Sequence, residues 1–403
     1  MPSTLPEGES PPADGVLPDA ALAEVGQRPL GIYLHVPFCT TRCGCCDFNT
    51  YTAAELGPGA SRATYVDTAI AELDLAVRVL GPDAPEVSTV FVGGGTPTLL
   101  PPADLGRLVT AVRQRFGLTH DAEVTTESNP ETVTGDDLAR LREAGFTRVS
   151  FGMQSAVPHV LATLDRVHSP GRAAQAVADA RVAGFDQVSL DLIYGTPGES
   201  GADWETSLAA ALAAAPDHVS AYALIVEPGT RLAARVRRGE LPMPDEDDLA
   251  DKYLTAEARL TAAGHTAYEV SNWARRPAAR CRHNLAYWRG DHWWGVGPGA
   301  HSHVGGVRWW NVKHPSAYAD RLGSARSPAY AREVLGAEER RTERVLLELR
   351  LADGLPVEVL SATEARRVPD LVTRGLAENT GQWLSLTLRG RLLADGVVRD
   401  LLD

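Results

Sequence analysis

Tyr33-Leu34-His35-Val36-Pro37-Phe38-Cys39-Thr40-Thr41-Arg42-Cys43-Gly44-Cys45-Cys46-Asp47-Phe48-Asn49 is the stretch on which the reading of this chain turns. An apolar, β-prone run enters it, and three cysteines follow at C-x3-C-x2-C spacing. Three thiolates on one short loop, Cys39, Cys43 and Cys46, can hold three irons of a [4Fe-4S] cube and leave the fourth iron open. An open iron can chelate the amino and carboxylate groups of S-adenosylmethionine (SAM). An electron from the cube can then break the sulfonium C–S bond and release a 5′-deoxyadenosyl radical. That chemistry belongs to the cofactors, and the protein positions them. Zinc is the alternative reading. It asks for four N or S ligands, and Cys45 as the fourth stands next to Cys46, so the two thiols point different ways. A disulfide framework suits short, cysteine-dense secreted chains, which five cysteines in 403 residues do not make.

Outward from the loop, strand-like and helix-like segments alternate. The apolar runs at 31–38, 87–92, 123–126, 148–154, 187–194 and 218–226 read as strands, with a short strand at 268–272. Helical spacing covers 62–80, 102–116, 136–144, 170–183, 203–214 and 247–263. This alternation predicts an α/β fold, a parallel sheet covered by helices. Right-handed crossovers can curl it into a full or partial barrel. In such folds the chemistry collects at the C-terminal ends of the strands. The cysteine loop follows the first strand and Gly93-Gly94-Gly95-Thr96-Pro97 the second. Glu127 and Asn129 end the third, Gln154 the fourth, Asp191 and Tyr194 the fifth, and Tyr222 and Ala223 the sixth. Six separate regions thus point to one mouth.

Each of these has an ordinary reading beside the functional one. The glycine turn brings backbone close to a ligand, and beside a cluster loop it is a candidate for the SAM amino group; alone it is a tight βα turn. Glu127 suits a ribose or an ammonium group, or is simply a solvated acid. Gln154, Arg166 and Asp191 draw their interest from strand-end placement. In His283-Asn284-Leu285-Ala286-Tyr287-Trp288, histidine among aromatic residues suits a flat ligand such as haem. It equally suits a packed aromatic core around a hydrogen-bonded histidine. Cys281 reads as buried, and His301 and His303 as strand or loop residues.

Bulk composition narrows the classes. The formal net charge of -13 argues against binding nucleic acid through a general positive field. No run of apolar residues is long enough for a membrane span, although a peripheral contact stays open. The N-terminus lacks the pattern of a secretory signal, so reduced cysteines fit a cytoplasmic protein. Residues 1–29, rich in Pro, Gly, Ala and acids, read as a disordered tail. Residues 30–275 read as the barrel, 276–334 as a linking region that carries the His283 motif, and 335–403 as a small helical or winged-helix-like domain.

Together these segments resemble the coproporphyrinogen III oxidase-like branch of the radical SAM superfamily, from Gly31 to the C-terminus. The resemblance implies a partial (β/α)6 radical SAM barrel with a small C-terminal domain. It implies that Cys39, Cys43 and Cys46 bind the cluster. Tyr33, the backbone at Cys45, Gly94 and Glu127 would bind the SAM attached to it. Gly95, Thr96, Gln154, Arg166, Asp191 and Ala223 match positions that hold a second SAM in the true dehydrogenases. Those enzymes carry one more cysteine two residues after the third, where this chain has Phe48. Phe48 and the His283 motif resemble the haem-chaperone members of the branch instead. They imply haem as cargo, with His283 as a contact, haem-accepting client proteins, notably respiratory ones, and an electron donor. The alternative is the dehydrogenase itself, which decarboxylates coproporphyrinogen III oxidatively to protoporphyrinogen IX. In a third reading the cluster serves only assembly or homodimerisation and SAM is vestigial. Cys45 departs from the branch, which usually places an aromatic residue beside the adenine.

Overall fold

The computed structural model describes residues 7–56, 61–166 and 168–403. Its centre is six parallel strands in sequential order: β1 Leu30–Val36, β2 Val87–Gly94, β3 Leu118–Ser128, β4 Arg148–Gln154, β5 Gln187–Tyr194 and β6 His218–Ala223. Strands β1 and β6 do not pair with each other, so the curled sheet is an open, partial barrel. The covering helices include Arg62–Leu80, Pro102–Phe116, Gly135–Glu143, Arg172–Val182 and Gly201–Ala213. Helix Arg62–Leu80 shows why these helices form and where they lie. Ser61 and Thr64 close a capping box at its start, Gly81 ends it at φ 77°, and Tyr65, Val66, Ala69, Leu73 and Ala76 form its buried stripe.

The two faces of the strands differ. On β1, Leu30, Ile32, Leu34 and Val36 are buried in the main apolar core. Each such side chain contributes about 1.5–3 kcal/mol by leaving water. The alternate residues face the barrel lumen, and the pairing register aligns them across the strands. Tyr33 lies beside Phe91, Phe91 beside Thr125, Glu127 beside Ser150, Gly152 beside Asp191, and Asp191 beside Ser220. The lumen is therefore polar, in contrast to the filled apolar interior of a closed barrel.

Two expectations need correction. Residues 276–334 are no linker. After helix Arg282–Arg289, strand β9 (His292–Val296) joins β1 in parallel. Strands β10 (His301–Val304), β11 (Val307–Asn311) and β12 (Ala329–Val334) continue the same sheet antiparallel. With β7 (Thr266–Ala267) and β8 (Asn272–Ala274) beyond β6, the sheet has twelve strands. These late strands are short and glycine-punctuated, which hides their period of two. Residues 7–29, expected as a disordered tail, pack along the β12 edge. Backbone bonds pair Glu9 with Arg332 in both directions (2.8 and 3.0 Å), Leu17 and Ala21 are buried, and Glu24 meets Arg340 through two 2.6 Å bonds. Long-range pairing orders this segment and covers a sheet edge that would otherwise be open.

The C-terminal domain has its own core, around Val345, Leu355, Leu371, Leu384 and Leu401. A three-stranded antiparallel sheet, β13 (Leu355–Pro356), β14 (Ala377–Asn379) and β15 (Trp383–Leu386), packs with helices Ala337–Glu348, Val368–Thr373 and Ala394–Leu402. That agrees with the small α+β, winged-helix-like unit expected there.

Candidate cluster and cofactor site

The cysteine loop leaves β1 at the C-terminal mouth and is tied down on every side. Cys39 N–H donates to Tyr51 O (3.0 Å) and Tyr51 N–H to Pro37 O (2.7 Å). Gly44 N–H donates to Leu164 O (3.1 Å), and Leu232 N–H to Gly44 O (2.8 Å), so the loop's middle is held by the segments after β4 and β6. Asn49 closes its end, with Nδ2 donating to Pro298 O (2.9 Å) and Lys313 O (2.8 Å). All four loop cysteines are free thiols, with Cys39 buried and Cys43, Cys45 and Cys46 half-buried.

The donor set fits a cube. Cys39, Cys43 and Cys46 stand as free thiols on one loop, and a cube takes one thiolate per iron. Contacts from the Cys45 and Cys46 thiols, with the Arg166 charge, hold the Cys43 thiol well below its ordinary pKa. The same contacts and burial push Cys45 and Cys46 up. The backbone also fits a close neighbour. A Cβ on Gly95 would stand 2.4 Å from Phe38 O and 3.0 Å from Cys39 Sγ, and one on Gly94, at φ 112°, would stand 2.7 Å from the His35 ring. Only glycine allows this turn to press against the cluster loop.

The turn is partly committed already. Gly94 N–H donates to Glu127 Oε2 (3.1 Å), Gly95 N–H to Val36 O (2.8 Å) and Thr96 N–H to Phe38 O (2.7 Å). What Gly94 and Gly95 can offer a ligand is therefore their carbonyl side, which suits an ammonium group. Tyr33 lies on the lumen floor. Asn49 O accepts from His35 Nε2 (2.9 Å), so His35 Nδ1 accepts the Tyr33 hydroxyl at 3.0 Å. This fixes one neutral tautomer of His35, whose pKa burial lowers.

The acids of the lumen carry strain in their charge. Burial and the nearby Asp191 push Glu127 up to about 7, while the Gly94 N–H and Arg166 pull the other way. Asp191 is also raised by burial and accepts Ser150 Oγ at 3.0 and 2.8 Å. Two buried carboxylates facing one lumen suit a cationic ligand. Gln154 ends β4 at φ 63°, past a bulge, with Gly152 leaving room for its side chain to fold back. A non-glycine residue there costs of the order of 1–3 kcal/mol, which the surrounding strand and bulge hold in place. Ala223 sits at the end of β6 and pairs with Tyr194. Tyr33, Gly94, Gly95, Thr96, Glu127, Gln154, Arg166, Asp191 and Ala223 all belong to the C-terminal half of the lumen or its rim.

His283 does not. It lies at the opposite, N-terminal end, on helix Arg282–Arg289, which plugs the barrel there. Arg282 N–H and His283 N–H donate to the carboxylate of Glu123 (3.0 and 3.1 Å), which stands beside Thr89 in the β2–β3 pairing. The ring is 1% exposed, with Nδ1 bonded to Thr89 Oγ1 (2.8 Å) and Nε2 to Tyr287 OH (2.9 Å). It stacks on Phe91 at 5.2 Å, and burial drops its pKa to about 3. Both nitrogens are taken and no edge is open, so the expectation of His283 as a haem contact is corrected to a core histidine. His168 is the residue sequence reasoning passed over. Both ring nitrogens are buried without a partner, and the Arg166 charge helps burial to keep the ring neutral. Its only signal in the sequence is its position two residues after Arg166. A buried imidazole with an unused donor and acceptor is what a polar cofactor leaves when it is absent from a structure.

Comparison with known proteins agrees with this layout. The sequence model of the radical SAM superfamily matches residues 33–211, from β1 into the helix after β5. The haem chaperone HemW of Mycobacterium tuberculosis is 57% identical over 381 residues, 94% of this chain and 97% of that one. That of Bacillus subtilis is 32% identical over 374 residues, 91% of this chain and 97% of that one. In structure, the Escherichia coli coproporphyrinogen III oxidase HemN, a radical SAM enzyme, aligns over 98% of this chain and 96% of that one. Its TM-score is 0.80 and its identity 23%, a likeness of fold.

Proposed function

The chain belongs to the family of the haem chaperone HemW, and from that premise we propose that it binds haem and hands it to haem proteins, with a [4Fe-4S] cluster and SAM at the barrel mouth. The observation that carries this reading is 57% identity to a haem chaperone along nearly the whole of both chains. Cys39, Cys43 and Cys46 hold the cluster. Tyr33, the Gly94 backbone, the Cys45 backbone and Glu127 orient the SAM attached to it. Gly95, Thr96, Gln154, Arg166, Asp191 and Ala223 line the adjoining part of the lumen, where a second cationic ligand fits. A cube with SAM bound supplies a one-electron donor beside a sulfonium. The chain's own part is to exclude water, to set charge and to fix orientation. Arg166 offsets the thiolate charge, and Glu127, placed near neutrality, takes or gives one proton as a cation enters or leaves. Phe48, 62% exposed on the cluster loop, and Ile225, 66% exposed after β6, give the mouth apolar surface for a porphyrin face. No helix among the described residues is long and apolar enough to cross a membrane.

The test is an anaerobic one on the cluster-loaded chain. Haem is titrated in and followed by its Soret band, and transfer to an apo-haem protein is then measured. In parallel, the chain is given coproporphyrinogen III, SAM and a strong reductant. The expected result is haem binding and transfer without protoporphyrinogen. Porphyrinogen turnover, or no haem binding, overturns the proposal.

A further inference from the structure

Phe48 does not stand alone on the outer rim of the cluster loop. The two ends of the loop lie side by side, with Phe38 bridged to Tyr51, and three cations stand around that neck. Lys313 accepts Asn49 Nδ2 (2.8 Å) and the Tyr51 hydroxyl (3.1 Å) on its backbone oxygen. Its side chain is exposed and has no ion pair among the described residues. Arg62 is likewise exposed and without an ion pair among them, with Cζ 6.0 Å from the Phe38 ring centre. Arg42 donates to Thr50 O, and its ion pair is a long one, to Glu55 at 3.7 Å. These cations are out of keeping with the chain, whose net charge is -13. It has two lysines, of which Lys252 is buried against Asp248 and Lys313 is the one that reaches water. A chain of that sign repels small anions in general, so an anion that binds it needs local cations.

We propose that this rim is where the haem propionates are held: the porphyrin face rests on Phe48, 62% exposed, and the two carboxylates meet Lys313 and Arg62. The inference rests on the haem reading above and names the groups that recognise the cargo's charge. The same rim carries the acids Asp47 and Glu55, both exposed. Charge alone therefore gives an anion little here, and the apolar face must supply the rest. That balance favours haem over an acidic protein surface. A protein would set its acids against Asp47 and Glu55 as well, whereas haem carries its charge at two points on one edge. Lys and Arg present their charges on long stems, so they can follow propionates that are themselves flexible. Ion pairs in water are weak, and an open rim leaves the other porphyrin face free. Both properties suit a cargo that must be released to a client.

The test is a Soret titration of the cluster-loaded chain with haem and with haem dimethyl ester, which has the same face and no free carboxylates. Wild type is expected to bind haem about tenfold more tightly than the ester. Lys313→Ala and Arg62→Ala should each weaken haem about threefold and together about tenfold, the size that solvent-exposed ion pairs give, and leave the ester unchanged. Lys313→Arg should restore haem binding, and high salt should erase the difference between haem and ester. Phe48→Ala should weaken haem and ester alike. Lys313 holds the loop through its backbone oxygen, which these variants keep, so iron content and thermal midpoint should stay at wild-type values. Equal affinity for haem and ester, or a haem affinity indifferent to both alanine variants, overturns the proposal and leaves the rim to an acidic protein partner. A Phe48→Ala chain that matches wild type overturns it as well. A wild-type chain that binds neither haem nor its ester overturns the haem reading itself, which is a different failure.

Discussion

Replacing Asn49 by alanine should loosen the cluster loop without touching a thiol. Asn49 stands three residues after Cys46, and its side chain makes the loop's hold on the β9–β11 extension. Nδ2 donates to Pro298 O (2.9 Å) and Lys313 O (2.8 Å), while Oδ1 accepts the Tyr51 hydroxyl (3.2 Å). The turn that receives it is shaped for it, since a Cβ on Gly299 would lie 2.6 Å from Asn49 Nδ2. Three net hydrogen bonds at about 1 kcal/mol each, reduced where Lys313 O faces solvent, put the cost at about 2–3 kcal/mol. Asn49 O, the acceptor for His35, stays in place but is less well held, so the Tyr33–His35 pair loosens with it. The assay is the rate at which a chelator strips iron from the loaded cluster, with the thermal midpoint of the cluster-free chain beside it. Local opening made easier by about 2 kcal/mol speeds iron loss roughly thirtyfold. Asn49→Asp separates donors from acceptor. It keeps Oδ1 for Tyr51 but turns a carboxylate toward two carbonyls, so it should be at least as damaging as alanine. Unchanged iron loss in Asn49→Ala, or an Asn49→Asp variant that matches wild type, would refute the reasoning.

Other outcomes follow from the same geometry. His283→Ala should destabilise the fold by about 2–4 kcal/mol through a cavity and unpaired hydroxyls on Thr89 and Tyr287, while leaving haem affinity unchanged. A weaker haem Soret titration with an unaltered melting temperature would return His283 to the haem site. Replacing Cys39, Cys43 and Cys46 together by alanine should abolish the broad visible absorption of the cluster, and a retained band sinks the ligand assignment. SAM affinity should rise with pH and level off above about 7, because the raised Glu127 must be ionised to attract a cation. Glu127→Gln should bind more weakly with a flat profile, and an unchanged profile would dissociate Glu127 from SAM. Glu72 is fully buried, accepts Gly297 N–H and Asn311 Nδ2 at 2.8 Å each, and is pushed by burial up to about 7. Its folded pKa lies above its unfolded value, so the native state holds the extra proton and stability falls as pH rises between about 4.5 and 7. Glu72→Gln should remove its share of that slope in denaturant titrations across this window. A slope left intact would show that other groups set it.

The barrel and the cluster loop were legible because local signals carried them. Helices Arg62–Leu80 and Pro102–Phe116 and strands Arg148–Gln154 and Gln187–Tyr194 match their expected limits. Their caps, glycine stops and apolar periods are all written within the segment. The N-terminal segment and the strands β9–β12 were not legible, because what orders them is a partner far along the chain. Glu9 needs Arg332, and β9 needs β1. A Pro-rich stretch held by scattered long-range bonds and two buried residues looks, in sequence alone, like one with none.

The site shows the same division between placement and role. Strand-end reasoning brought Glu127, Gln154 and Asp191 to one lumen, since parallel register fixes which ends meet. It could not see that the aromatic segment around His283 lies at the other end of that lumen. Motif spacing reports that a helix exists, not which mouth of the barrel it closes. Glu123 decides that by accepting the first N–H groups of the helix beside Thr89 of β2. Gly31 confirms the crowding, because a Cβ there would stand 2.8 Å from Thr89 Oγ1 and 3.3 Å from His283 Nδ1. One end of the barrel is thus filled by an aromatic plug with every polar atom of its histidine satisfied. The other keeps two buried carboxylates, a strained Gln154 and an unpartnered His168. Buried charge and unmet polar groups are costly inside a protein, which supports the C-terminal end as the one proposed to receive ligands.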